Sequence, residues 1–100
     1  MPEMTFTVEW PDGTVAKCYS PSLVMHDHLA VGTDYRVDDF VDRTTEALDL
    51  ASERVKAKFG FECTSALAQK AEIAEVTARF EGEARVRVLA MHPALPKSLL

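Results

Sequence analysis

A turn signal near the amino terminus constrains the fold of this chain more than any other stretch. In "MTFTVEWPDGTVAKCY", the apolar residues Phe6, Val8 and Trp10 alternate with polar ones, and the proline, aspartate and glycine of "WPDG" follow. Alternation with a period of two is typical of a half-buried strand, and Pro-Asp-Gly suits a three-residue loop with a left-handed glycine. The stretch therefore predicts a β-hairpin with the loop at residues 11–13.

The turn also predicts which side chains share a face of the hairpin. If Trp10 faces Thr14 across the loop, the same register places Phe6 opposite Cys18. Partners across two strands lie on the same face of a sheet. We therefore expect Cys18 in the core, and we expect the opposite face, which carries Tyr19, to meet water.

A long helix is predicted over about residues 38–59. Apolar residues recur there at steps of three and four, which is the period of an amphipathic helix. Asp38 or Asp39 is expected to cap its start, and Gly60 is expected to end it in the left-handed conformation.

A second helix is predicted over about residues 65–80, with Thr64 or Ser65 as its cap. Its buried stripe is expected to consist of residues spaced at helical intervals: Ala66, Ile73, Val76 and Phe80.

A final strand is predicted in "EARVRVLA", with Val86, Val88 and Ala90 pointing inward. We expect this strand beside the first strand of the hairpin. The fold class is then α+β, a small antiparallel sheet with two helices on one face and the order β-β-α-α-β. Residues 1–90 form one domain in this prediction, and residues 91–100 a loosely ordered tail.

The connection over residues 20–36 has no clear period. Its "SLVMHDHL" fits either one or two helical turns or an extended run, and a short extended piece is possible at residues 35–37. Long ordered connections often carry function.

Charge and composition exclude several classes of partner. The formal net charge of −5 opposes binding to nucleic acid or to anionic lipid. Apolar runs fall short of the roughly 18 residues that a membrane span needs, and "MPEMTFTVEWPDG" lacks a basic region followed by an apolar one. We therefore expect a cytoplasmic protein that binds neither nucleic acid nor membrane.

Four residues with reactive or metal-binding side chains are candidates for a site: Cys18, His26, His28 and Cys63. Thiolate and imidazole are the ligands that zinc prefers, but the spacing matches no known zinc ribbon or finger. On a helix, moreover, two histidines separated by one residue diverge by about 200°. We therefore assign no metal ligand and no cofactor.

A catalytic thiol is the other chemical possibility. Cys63 directly precedes the second predicted helix, whose dipole and free N–H groups lower the pKa of a thiol. His26 or His28 would then be its base. The alternative for Cys63 is an inert residue at a helix entry.

Two long stretches, "VEWPDGTVAKCYSPSLVMHDHL" and "ASERVKAKFGFECTSAL", resemble a family of short bacterial proteins called nitrogen starvation response proteins. The resemblance runs from about residue 1 to residue 88 and carries over no catalytic residue. It implies a cytosolic role in nitrogen limitation or nitrile use. It also implies a gene cluster with a nitrilase, a radical-SAM protein, an acetyltransferase and a flavin-dependent oxidoreductase.

We therefore expect a non-catalytic accessory or regulatory protein that binds a pathway enzyme or a small metabolite. The expected contact is a protein partner or a second copy, through the open sheet face or an edge strand. The alternative is a small thiol-dependent enzyme or carrier that uses Cys63 with a nearby histidine.

Overall fold

A computed structural model of the chain describes residues 3–61 and 63–94. The elements, in chain order, are β1 Met4–Glu9, β2 Val15–Ser20, a short 3-10 helix Leu23–Asp27, β3 Asp34–Arg36, α1 Val37–Phe59, α2 Thr64–Thr77 and β4 Arg85–His92. The sheet is antiparallel with the order β2-β1-β4-β3, and the buried side chains of both helices join those of the sheet in one core. The α+β class and the place of the last strand beside β1 are confirmed.

The hairpin has the predicted register. The Trp10 N–H donates to the Thr14 carbonyl at 2.8 Å, and Phe6 pairs with Cys18. Gly13 has a φ of 88°, the left-handed conformation that the loop requires. Phe6 and Cys18 are both buried, so the prediction that the thiol faces the core is confirmed.

The sheet has a fourth strand that the predicted order lacks. A short extended piece was expected at residues 35–37, but β3 covers Asp34–Arg36 and Val37 already begins α1. Tyr35 of β3 pairs with Val86 of β4 and is buried. Three residues are too few for alternation to stand out in the sequence.

The predicted aspartate cap of α1 is wrong. Arg36 occupies the cap position, and its side chain makes no capping bond. The Val37 N–H donates instead to the Ala84 carbonyl at 2.8 Å, and the Asp38 N–H to the Gly82 carbonyl at 3.1 Å. Backbone from the turn before β4 therefore satisfies donors that a helix start leaves free. At the other end, Gly60 has a φ of 82° and ends the helix as predicted.

The second helix begins and ends earlier than predicted. Cys63 is the cap residue, without a side-chain capping bond, so the expected cap at Thr64 or Ser65 is wrong. After residue 77 the chain turns more tightly, and the Phe80 N–H donates to the Thr77 carbonyl three residues back. The predicted stripe packs on the core, and Gln69 and Thr77 are buried with it.

One inward position of β4 differs from the prediction. The pairing of β4 with β1 shifts between Thr7, which faces Ala90, and Val8, which faces Val88. Leu89 is the extra residue of this bulge, so Ala90 turns outward and Met91 is buried in its place. The strand continues to His92. Of the predicted tail at residues 91–100, residues 95–100 lie outside the described part of the chain.

Among the described residues, no helix combines the length and the apolar character that a membrane crossing needs.

Candidate functional site

The two candidate histidines, His26 and His28, contact different parts of the chain. The His26 Nε2 atom donates to the carbonyl of Pro93, 2.8 Å away, just after β4. The His28 Nδ1 atom donates to the Val24 carbonyl at 3.2 Å, and its Nε2 atom is 3.6 Å from a carboxylate oxygen of Glu46 on α1. Each imidazole therefore ties the 20–36 connection to a neighbouring element.

The buried thiol of Cys18 does not meet either histidine. Its side chain is 2% exposed, and burial in the core raises its pKa from the ordinary 9.0 to about 12, with a further contribution from Glu72. The thiol therefore stays protonated at neutral pH and acts as a small apolar residue. Within residues 3–61 and 63–94, no three side chains of the metal-binding types lie close enough together to hold an ion.

The second thiol borders a cavity. The left-handed turn at Gly60 ends α1 and lets the chain reverse into α2, and Cys63 lies at the point of entry, half-buried. The cavity beside it has a volume of about 370 Å³, within the range of small-ligand pockets. Its wall comes from the start of β1, the end of β2, the end of α1 and the turn into α2: Glu3, Tyr19, Pro21, Val55, Phe59, Phe61, Cys63 and Thr64.

Tyr19 supplies a phenol to this wall, beside the carboxylate of Glu3. Partial burial, together with the Cys63 thiol and the Glu3 carboxylate beside the phenol, raises its pKa to about 12. At neutral pH the hydroxyl therefore carries its proton and can donate a hydrogen bond to the sulfur or to the carboxylate. Tyr19 was expected to face water with the open side of the sheet, but it is half-buried at this cavity.

A buried glutamine holds the strand of Tyr19 against α2. The Gln69 Oε1 atom accepts a hydrogen bond from the Tyr19 backbone N–H at 3.0 Å. In the hairpin, the residues at even positions, beginning with Trp10 and Thr14, are the ones that exchange backbone hydrogen bonds between β1 and β2. Tyr19 is at an odd position, so its N–H points away from β1. Gln69 therefore occupies an edge donor of β2 that another strand would need.

Two exposed phenylalanines form the rim of the cavity. Phe59 is 52% exposed and Phe61 67%, and their ring centroids are 6.3 Å apart. The ammonium group of Lys58 lies 5.6 Å from the centre of the Phe59 ring. Large aromatic side chains that are this exposed and adjacent mark binding surfaces more often than scattered apolar residues do. We call Phe59, Phe61 and the cavity that they border the aromatic patch.

The thiol and the histidines are not brought together. Neither His26 nor His28 lines the cavity. His28 contacts α1 at Glu46, nine residues before Val55, which is about 13 Å along a helix. The predicted Cys63–histidine pair has no contact in the described residues. The aromatic patch was not predicted from the sequence, because its residues come from four separate elements. The stretch "KFGF", in which a glycine separates two phenylalanines, was nevertheless a usable signal for an exposed aromatic turn.

Comparison with known proteins identifies a family. The model of the family of nitrogen starvation-induced protein NitG matches residues 5–91. No curated protein and no solved structure matches the chain. The family match includes most of β1, all of β2, both long helices and most of β4. The chain belongs to the family of nitrogen starvation-induced protein NitG.

Proposed function

We propose that the protein is a non-catalytic accessory or regulatory protein of the nitrogen starvation response, and that it acts by binding a protein of the same pathway through the aromatic patch. Membership of the family supports the physiological setting. One observation carries the mode of action, namely two exposed phenylalanine rings at the mouth of a largely apolar cavity.

The patch suits a protein contact better than the other free surfaces of the sheet. The edge of β2 is partly occupied, since Gln69 accepts the hydrogen bond of the Tyr19 N–H. The side of the sheet away from the helices carries mainly polar residues, among them Thr7, Lys17 and Arg87. Aromatic side chains around an apolar hollow, by contrast, are the usual centre of binding energy in an interface.

The resemblance of the chain supplies candidate partners. We propose that the partner is an enzyme of the nitrilase gene cluster. Such a contact needs no cofactor and no catalytic residue in this chain. The proposal also places the contact in the cytoplasm.

Binding to each purified enzyme of the cluster tests the proposal. We expect one of them to bind in a titration followed by calorimetry, and we expect Phe61→Ser to raise its Kd at least about tenfold, as truncation of an aromatic hot spot does. Val31→Ser is the matched control, because Val31 is 55% exposed and lies outside the patch. Equal affinities of Phe61→Ser and Val31→Ser would contradict the proposal.

The alternative is a small thiol-dependent enzyme or carrier, and the place of Cys63 in the cavity is the observation that favours it. Without a histidine at the cavity, the proton donor beside the thiol is Tyr19. Cys63→Ser separates the two functions. Partner binding within about twofold of the wild type together with normal growth in nitrogen limitation supports the accessory role. Equally intact binding together with a growth defect in nitrogen limitation supports the thiol chemistry.

A further inference from the structure

We propose that a second copy of this chain occupies the aromatic patch when the pathway partner is absent, in a two-fold dimer in which each Phe61 enters the cavity of the other copy. Phe61 is the most exposed of the large apolar side chains in the described part of the chain, and it borders an open hollow of about 370 Å³. A projecting ring and a hollow on one surface meet the requirement of a two-fold interface, which uses the same surface twice.

The charges around the patch fit a contact between copies. Glu3 brings a carboxylate to one side of the cavity, and Lys58 brings an ammonium group to the Phe59 ring. A two-fold axis through the patch can bring the Glu3 of one copy toward the Lys58 of the other, so opposite charges face each other twice. Exposed ion pairs contribute little to affinity. We therefore expect the aromatic rings to provide most of the affinity, and the charges to set the orientation of one copy relative to the other.

The contact area implies a weak and reversible dimer. Two rings and one cavity from each copy form a small interface, below the standard size of a permanent complex. Both copies also carry a net charge of −5, a repulsion that salt screens over about 10 Å. The proportion of dimer should therefore rise with protein concentration and with moderate salt.

The position of Cys63 gives the dimer a chemical signature. Cys63 follows Phe61 by two residues, at most about 7 Å of extended chain, and the cavity that receives Phe61 is itself lined by Cys63. Entry of Phe61 into the other copy's cavity therefore brings the two Cys63 thiols within reach of a short bis-maleimide. Cys18 is 2% exposed, so it does not compete in the folded protein.

Sedimentation equilibrium of the full chain, combined with bis-maleimide cross-linking, tests the inference. We expect a concentration-dependent dimer, a cross-linked product that Cys63→Ser abolishes, and an association constant at least about tenfold lower in Phe61→Ser but unchanged in Val31→Ser. A monomer at every concentration, or a dimer that Phe61→Ser leaves intact, would overturn it.

The inference shares its surface with the proposed function, and the two fail separately. Enzyme binding that depends on Phe61 in a chain that remains monomeric refutes the dimer alone. A dimer that depends on Phe61 in a chain that binds none of the enzymes refutes the pathway contact alone. If both hold, we expect the enzyme and the second copy to compete for the patch.

Discussion

The two thiols of the chain differ in their surroundings. Cys18 points into the core from the middle of β2, where burial raises the pKa of its thiol to about 12. Cys63 lies at the entry to α2, half-buried, beside a phenol and a carboxylate. The register of the hairpin therefore determines the position of Cys18, and the turn between the two helices determines that of Cys63.

We expect Cys18 to make the folded state less stable at alkaline pH. Above pH 9 the thiol of the unfolded chain loses its proton while the folded chain retains it, so stability falls as pH rises from about 9 toward about 12. Each pH unit in this window costs up to about 1.4 kcal/mol per thiol. Urea unfolding at a series of pH values measures the effect.

Cys18→Ala is the control for this pH dependence. Its unfolding free energy should be lower at pH 8, because the substitution leaves a small cavity, but it should fall less steeply between pH 9 and pH 11 than that of the wild type. Tyr19, whose pKa is also raised to about 12, keeps its own contribution in this variant. Parallel curves for the two proteins would contradict the assignment to Cys18.

Gln69 is the buried residue through which α2 holds the edge of β2. Its Oε1 atom accepts from Tyr19, while its Nε2 atom is buried without a hydrogen-bond partner among the described residues. Gln69→Met leaves the Tyr19 N–H without its acceptor, and removal of the unpaired Nε2 donor offsets only part of that cost. We therefore expect a net loss of about 1 kcal/mol in the free energy of unfolding. Ala71→Met, at an exposed site of the same helix, should change it by less than about 0.5 kcal/mol. A gain in stability for Gln69→Met would contradict this role.

At the scale of elements, the turn between α1 and α2 depends on Gly60. Its φ of 82° is unfavourable for any residue with a side chain, even though a Cβ atom there would meet no other atom within 4 Å. Gly60→Ala should therefore lower the free energy of unfolding by about 1–2 kcal/mol, as measured by urea unfolding.

Gly82→Ala is the matched control for the turn. Gly82 is outside the left-handed region, and an added Cβ atom would lie 3.3 Å from the Asp38 carboxylate, an exposed group that can shift. We expect a loss below about 0.5 kcal/mol for this variant. Equal losses at the two glycines would show that the left-handed backbone is not the cause.

Elements with a strong local signal were predictable from the sequence, and those that depend on a distant segment were not. The Pro-Asp-Gly loop and the glycine stop at residue 60 are local, and both are as predicted. The start of α1 is held by carbonyls of Gly82 and Ala84, more than forty residues away, so it could not be predicted from the residues around it. The bulge at Leu89 depends likewise on the pairing of β4 with β1.

The candidate site was predictable only in part, for the same reason. Its thiol was singled out by the position of Cys63 before a helix. Tyr19 was predicted to face water but is half-buried. Alternation along a strand gives no information about a helix that packs against the edge of the sheet, as α2 does here through Gln69. His26 or His28 was predicted as the base for Cys63, whereas their contacts lie with Pro93 and Glu46.

The molecule is flat overall and measures 37 × 36 × 18 Å. The helices cover one face of the sheet, and the aromatic patch lies where the turn between them meets the ends of β1 and β2. Among the described residues, this is the place where large aromatic side chains, a cavity and a half-buried thiol come together. We therefore propose this surface as the place of recognition.

The most direct test of the patch as the binding surface is the rate at which iodoacetamide labels Cys63, measured with and without a saturating amount of the enzyme that binds. If the enzyme covers the patch, labelling of Cys63 should slow at least about tenfold, and Phe61→Ser at the same enzyme concentration should remove most of this protection. An unchanged labelling rate in a complex that calorimetry shows to be fully formed would show that the enzyme binds at another surface.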